Sequence, residues 1–170
     1  MNKTFTTKTA AETQELANAL LLDILNKRIV LLSGQLGSGK TSFVKGLAKA
    51  LGITQVIKSP TYTYVNTYKI RRDALQCVST VQTRLIASLH HFDLYRLPDP
   101  KNPNNPKTPN YPSPDHTAAS IGLTEALHDS HALVIIEWPE RLAIFEGGLR
   151  ISFEKTAECH LISVMTGQSQ

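Results

Sequence analysis

Two cysteines, Cys77 and Cys159, are all this chain of 170 residues offers, and they stand far apart. That excludes a disulfide framework and a cysteine-based metal site, and two reduced thiols in a cytoplasmic protein are expected. No apolar run approaches the roughly 18 residues that a membrane span needs. The opening residues MNKTFTTKTAAETQE lack the apolar core of a signal peptide. Acids are missing from one half: between Ile24 and Phe92 there are ten Lys/Arg and one acid, Asp73, whereas from Asp93 onward there are ten acids and six bases. A basic half beside an acidic half fits a polyanion or acidic partner on one side, although several of these lysines are also read as solvated helix faces. What remains is ordinary: 41% hydrophobic and 19% charged residues, in a chain of the length of one domain.

Strands and helices alternate in the pattern. Thr9-Ala-Ala-Glu12 is a capping box that opens a helix with apolar positions Leu16, Ala19, Leu20 and Ile24. Arg28–Ser33 is a short aliphatic run suited to a buried parallel strand, and a helix follows from Lys40 to Leu51 with Gly52 as its C-terminal cap. Tyr62–Tyr68 and Leu85–Leu94 read as extended, Leu123–Leu127 as a short helix and Leu133–Ile136 as a buried strand. Leu149–Phe153 and His160–Val164 read as an antiparallel flank. The sum predicts an α/β fold of the P-loop NTPase-like three-layer kind, its central sheet mostly parallel with antiparallel flanking strands. Seven of the nine prolines fall in Pro98–Pro114, so residues 98–118 are expected to be an exposed Pro/Asn-rich insertion in a single domain spanning 1–170.

The chemistry begins at Gly34-Gln-Leu-Gly-Ser-Gly-Lys-Thr41, which fits G-x-x-x-x-G-K-[ST] between a predicted strand and a predicted helix. Glycines let the loop curl its N–H groups around one centre, and the helix N-terminus adds positive potential there. Gly34, Leu36, Gly37, Ser38, Gly39, Lys40, Thr41 and Ser42 are the candidate phosphate-binding residues, with Lys40 reaching the β- and γ-phosphates and Thr41 a Mg²⁺ ligand. Such a loop calls for an acid at a neighbouring strand end. Glu137, after LVII, is the candidate metal acid, its extra methylene allowing reach from a more distant strand or a grip on metal-bound water. Asp93, after SLHHF, is a second acid that could orient an attacking water. Thr61, in Ser59-Pro-Thr-Tyr-Thr63, offers a hydroxyl of the kind that senses a γ-phosphate, and an ordinary turn explains it equally well. The six histidines show no ligand spacing. Neither D-x-x-G nor N-K-x-D occurs, which favours ATP over guanine nucleotides.

Four blocks, GQLGSGKTSFVKGLAKALGI, KSPTYTYVNTY, HFDLYRL and IEWPERL, together resemble the TsaE (YjeE) family, the P-loop ATPases of bacterial tRNA threonylcarbamoyladenosine biosynthesis. The resemblance implies an ATPase that uses ATP and Mg²⁺ and works with the TsaD and TsaB proteins, meeting tRNA indirectly through that complex; no membrane contact is expected. It implies Thr41 and Glu137 as Mg²⁺-associated residues, Lys40 with Leu36–Gly39 on phosphates, Ser59–Thr63 as a switch-like segment and Asp93 as the additional acid. Trp138 is expected to position Glu137 or pack at an interface. Departures from the family's pattern are extra residues through Asp73–Arg84 and the Pro/Asn segment. The alternatives are a P-loop kinase of a small metabolite, with Asp93 as base, and a nucleotide-dependent RNA-binding protein using the basic half.

Overall fold

The computed structural model describes residues 2–71, 86–99, 119–142 and 147–166. Cys77, His116 and most of the two expected insertions lie outside the described residues. Seven strands form one sheet among the described residues: β1 (Asn2–Thr7), β2 (Ile29–Gly34), β3 (Val65–Lys69), β4 (Ser88–Asp93), β5 (Ala132–Glu137), β6 (Leu149–Lys155) and β7 (His160–Thr166), in the order β1-β7-β6-β2-β5-β4-β3. The middle four, β6-β2-β5-β4, run parallel, and β1, β7 and β3 pair antiparallel at the two sides. The expected sheet is therefore present, with one difference. β6 is not merely part of a flank; it pairs in parallel with β2 beside the glycine-rich loop, while only β7 and β1 turn antiparallel on that side. β1 itself was not anticipated, since NKTFTT has a single large apolar residue to signal it.

Parity along the strands builds two apolar layers. Val30 and Leu32 of β2 and Leu133 and Ile135 of β5 face one side, where α1 (Ala10–Ala19), α2 (Leu21–Lys27) and α3 (Lys40–Ala50) pack. Leu31, Val134 and Ile136 face the other, against Leu123 and Ala126 of α4 (Leu123–His128). Each buried Leu or Ile side chain contributes about 1.5–3 kcal/mol. Strands buried on both faces must read as continuous aliphatic runs, as LVII does.

The first helical segment breaks at Leu20 into α1 and α2. Of the expected stripe, Leu20 and Ile24 are buried and Leu16 packs against the core, joined by Thr13 and Ala17, whereas Ala19 is exposed. The Thr9 hydroxyl accepts from the Glu12 N–H at 3.1 Å, and the Glu12 carboxylate takes the Lys8 N–H at 2.9 Å. This is the expected capping box displaced by one residue on its return bond, worth about 1 kcal/mol. At the other end of α3, the Ile53 N–H reaches Ala48 O and the Gly52 N–H reaches Lys49 O, with Gly52 at φ 68°. Those two bonds close a Schellman cap on the glycine named from sequence.

Candidate functional site

The carboxyl ends of β2, β5 and β4 meet in one place, because β5 hydrogen-bonds to β2 on one side and to β4 on the other. In register, Glu137 lies opposite Leu32 of β2 and opposite Asp93 of β4. Ligands of open α/β sheets bind at such strand ends. Here the chain leaves β2 through the glycine-rich loop and enters α3 at Lys40. A cavity of about 200 Å³ opens there, walled by Leu36–Ser42, Ser59, Thr61, Asp93, Glu137 and Trp138. Of the residues proposed from sequence, Gly34 alone lies outside that wall. It ends β2 at φ 135°, and a Cβ there would sit 2.2 Å from the Phe153 carbonyl oxygen, so no other residue fits. Its own carbonyl accepts from Lys40.

Lys40 is nearly enclosed. Its Nζ donates to Gly34 O at 2.6 Å and Gln35 O at 3.0 Å, and lies 4.4 Å from the centre of the Trp138 ring. A desolvated cation over an indole gains about 2 kcal/mol. Burial lowers the Lys40 pKa from its ordinary 10.5, against an upward pull from Glu137, Asp93 and Glu140. Trp138 holds its position through a left-handed backbone (φ 61°), an N–H bond to Leu32 O at 3.1 Å and contact with the Tyr95 ring at 5.0 Å. Pro139 then starts a short 3-10 turn. The Trp-Pro step thus turns an indole back over Lys40. The sequence leads one to expect Trp138 to serve Glu137 or an interface, and no local signal points to the lysine.

Two clusters of oxygens face the loop. Thr41 Oγ1 donates to Glu137 Oε1 at 3.2 Å. Asp93 Oδ2 accepts from Ser59 Oγ at 3.1 Å and Thr61 Oγ1 at 2.5 Å, and Oδ1 from the Tyr95 N–H at 3.0 Å. The expected strand over Tyr62–Tyr68 begins only at Val65. Before it, the Thr63 and Tyr64 N–H groups both turn back to Pro60 O, and Tyr64 sits at φ 62°. That turn is what delivers the Thr61 hydroxyl to Asp93.

Two histidines matter that residue spacing had set aside. His91 Nε2 donates to Glu137 Oε1 at 2.9 Å with both side chains buried. His160 Nδ1 donates to Ser38 O at 2.9 Å, fixing a carbonyl of the loop from behind. His91 was legible in principle: it lies two residues before Asp93, so both point to the same face of β4. His160 comes from β7 across more than a hundred residues and had no sequence signal.

The donor set suits a magnesium-bound polyphosphate. Thr41 and Glu137 provide two hard oxygens within contact of each other, a lysine and a helix N-terminus stand alongside, and Mg²⁺ characteristically takes one or two protein oxygens plus phosphates. Among the described residues no group of three or more His, Cys, Asp or Glu side chains forms an all-protein metal cage. The Ser38 hydroxyl, buried in the loop, has no hydrogen-bond partner among the described residues.

The family described as threonylcarbamoyl adenosine biosynthesis protein TsaE matches residues 7–161, which include every part of this site. The chain belongs to the TsaE family. Relatives carrying the name tRNA threonylcarbamoyladenosine biosynthesis protein TsaE include that of Synechocystis sp., 36% identical over 133 residues, or 76% of this chain and 62% of that one. That of Aquifex aeolicus is 39% identical over 90 residues, covering 52% of this chain and 57% of the relative. The Bacillus subtilis relative is 30% identical over 110 residues, 65% and 49% respectively. The matched part thus spans about half to three-fifths of these TsaE relatives' length. The crystal structure of Bacillus subtilis YdiB superposes with a TM-score of 0.61 at 23% identity, covering 98% of this chain and 87% of that one, a likeness of fold.

Proposed function

We propose that this chain binds ATP with Mg²⁺, hydrolyses it slowly by itself, and serves the synthesis of threonylcarbamoyladenosine in tRNA as the ATPase subunit beside TsaD and TsaB. The observation that carries this reading is the convergence of Lys40, the Thr41–Glu137 pair and the Asp93–Thr61 pair on one loop at the ends of three adjacent strands. The names of the TsaE relatives support the pathway. The chain acts as one domain in the cytoplasm and meets tRNA through the complex; no helix among the described residues is long and apolar enough to cross a membrane.

In this reading Lys40 and the N–H groups of Leu36–Thr41 hold the phosphates, with Ser42 and Gly34 shaping the loop. Thr41 and Glu137 would hold Mg²⁺, which neutralises charge on the β- and γ-phosphates when bound. Asp93 orients the attacking water and holds Ser59 and Thr61 at the γ-phosphate end. The three hydrogen bonds already on Asp93 favour that role over a base for a foreign hydroxyl, the role a metabolite kinase would need.

The test is ATP turnover by the chain alone and with TsaD and TsaB, together with co-precipitation of the three proteins with and without ATP. Slow turnover that rises with the two proteins is the expected result. Brisk transfer to a small-molecule acceptor, indifferent to TsaD and TsaB, would refute it.

A further inference from the structure

We propose that His91 is a positioning residue for the metal acid: it fixes Glu137 in the one orientation that leaves a carboxylate oxygen for Mg²⁺. The inference rests on the ATP-Mg²⁺ reading of the site and adds a residue to it. His91 and Glu137 sit on neighbouring parallel strands and project to the same face, where α3 begins. His91 is fully buried and Glu137 nearly so. An ionised carboxylate can only accept, so the imidazole proton on this bond resides on Nε2 and points at Oε1. The Thr41 hydroxyl also donates to Oε1. Both bonds therefore fall on the same oxygen, and Oε2 takes no part in them.

The arrangement separates the two oxygens by task. A Glu side chain has three rotatable bonds, and at a strand end without a second anchor it would sample orientations in which neither oxygen stays beside Thr41. His91 removes that freedom from the strand side while Thr41 approaches from the helix side. The other ring nitrogen gives independent support. His91 Nδ1 is buried without a hydrogen-bond partner among the described residues. A histidine kept only for packing would be replaced at no loss by an apolar side chain, because an unmet buried polar atom is costly. The ring is tolerated here in spite of Nδ1, so its benefit lies at Nε2, on Glu137. Partners of this kind behind a metal ligand commonly change metal affinity by roughly ten- to a hundredfold when removed.

The experiment measures fluorescent ADP binding to the full chain in EDTA and in excess Mg²⁺, and reads the ratio of the two affinities. His91→Leu should lower that ratio roughly tenfold or more, with EDTA affinity unchanged. His91→Gln, which keeps an N–H near the Nε2 position, should restore it. If His91→Leu does not fold, the comparison is His91→Gln against the shorter His91→Asn, and only the former should keep the wild-type ratio. Equal ratios in all folded variants would overturn the inference, as would a loss of affinity that is the same with and without Mg²⁺. A wild-type chain that binds no nucleotide in Mg²⁺ would instead overturn the ATP reading, so the two failures are distinct.

Discussion

Gly46→Ala sets two effects of known size against each other. Gly46 lies inside α3 with helical φ, so alanine would favour the helix by about 1 kcal/mol. Yet α1 crosses at this point so closely that an added Cβ would sit 2.4 Å from Gln14 Cα, 2.5 Å from its carbonyl oxygen and 2.8 Å from its carbonyl carbon. All three obstacles are backbone, so no side-chain rotation relieves them. Bringing the shortest distance to an ordinary 3.4 Å requires α1 to retreat by 3.4 − 2.4, about 1 Å. Such overpacking costs about 1–3 kcal/mol or somewhat more, and the rigid obstacle places it at the upper end. The clash wins, for a net loss of about 2 kcal/mol. Urea unfolding followed by far-ultraviolet circular dichroism measures it. An alanine variant as stable as wild type, or more so, would refute the α1–α3 packing. Gly37→Ala provides the complement, since its Cβ would meet nothing within 4 Å while φ is 73°; strain alone should cost about 1–2 kcal/mol.

Lys40→Ala should abolish nucleotide binding measured by equilibrium titration. Glu137→Ala should bind nucleotide in EDTA but lose Mg²⁺-dependent turnover, and normal hydrolysis by that variant would disprove the metal assignment. Trp138 is the sole tryptophan, and Lys40 Nζ stands over its ring; drawing the lysine onto phosphate should change its emission, and a silent titration with proven binding would count against the contact. Burial lowers the His90 pKa from its ordinary 6.5, only partly offset by Asp129. The unfolded chain therefore binds the proton more readily, and stability should fall as pH drops from about 6.5 through the folded-state value. The urea midpoint of His90→Gln should lose that part of the pH dependence.

What could be read in the sequence was what local chemistry determines. The glycine loop, the capping box, the Gly52 cap and the aliphatic strand LVII depend on neighbours within a few residues, and each stands where its pattern placed it, except that the return bond of the capping box reaches Lys8 rather than Thr9. So does the meeting of Glu137 and Asp93, because two acids ending buried parallel strands share one sheet edge. The misplaced features depend on partners far along the chain. β6 joins β2 in parallel through the crossover from β5, which the antiparallel hairpin with β7 conceals. Tyr62–Tyr64 has strand-like composition, but the Thr63 and Tyr64 N–H groups fold back onto Pro60, and the Thr61 hydroxyl of that turn answers to Asp93, 32 residues away. The indole over Lys40 depends on one left-handed residue before a proline, and composition does not report such a conformation.

The same geometry explains why the strand after LVII ends in glutamate. Reach across an intervening strand is not the reason, for β5 is the immediate neighbour of β2. The acid instead serves two elements at once: its carboxylate meets Thr41 on α3 at 3.2 Å and His91 on β4 at 2.9 Å. Those partners lie on different sides of β5. An aspartate would start from the same Cα with one carbon less, and the carboxylate would fall short of the helix or of the histidine. Asp93, one strand further out, has its partners close by, in the turn at Ser59–Thr61 and in the Tyr95 N–H just beyond it, and the shorter acid suffices. The length of each acid thus follows from how far apart its partners stand, and the strand order sets that distance.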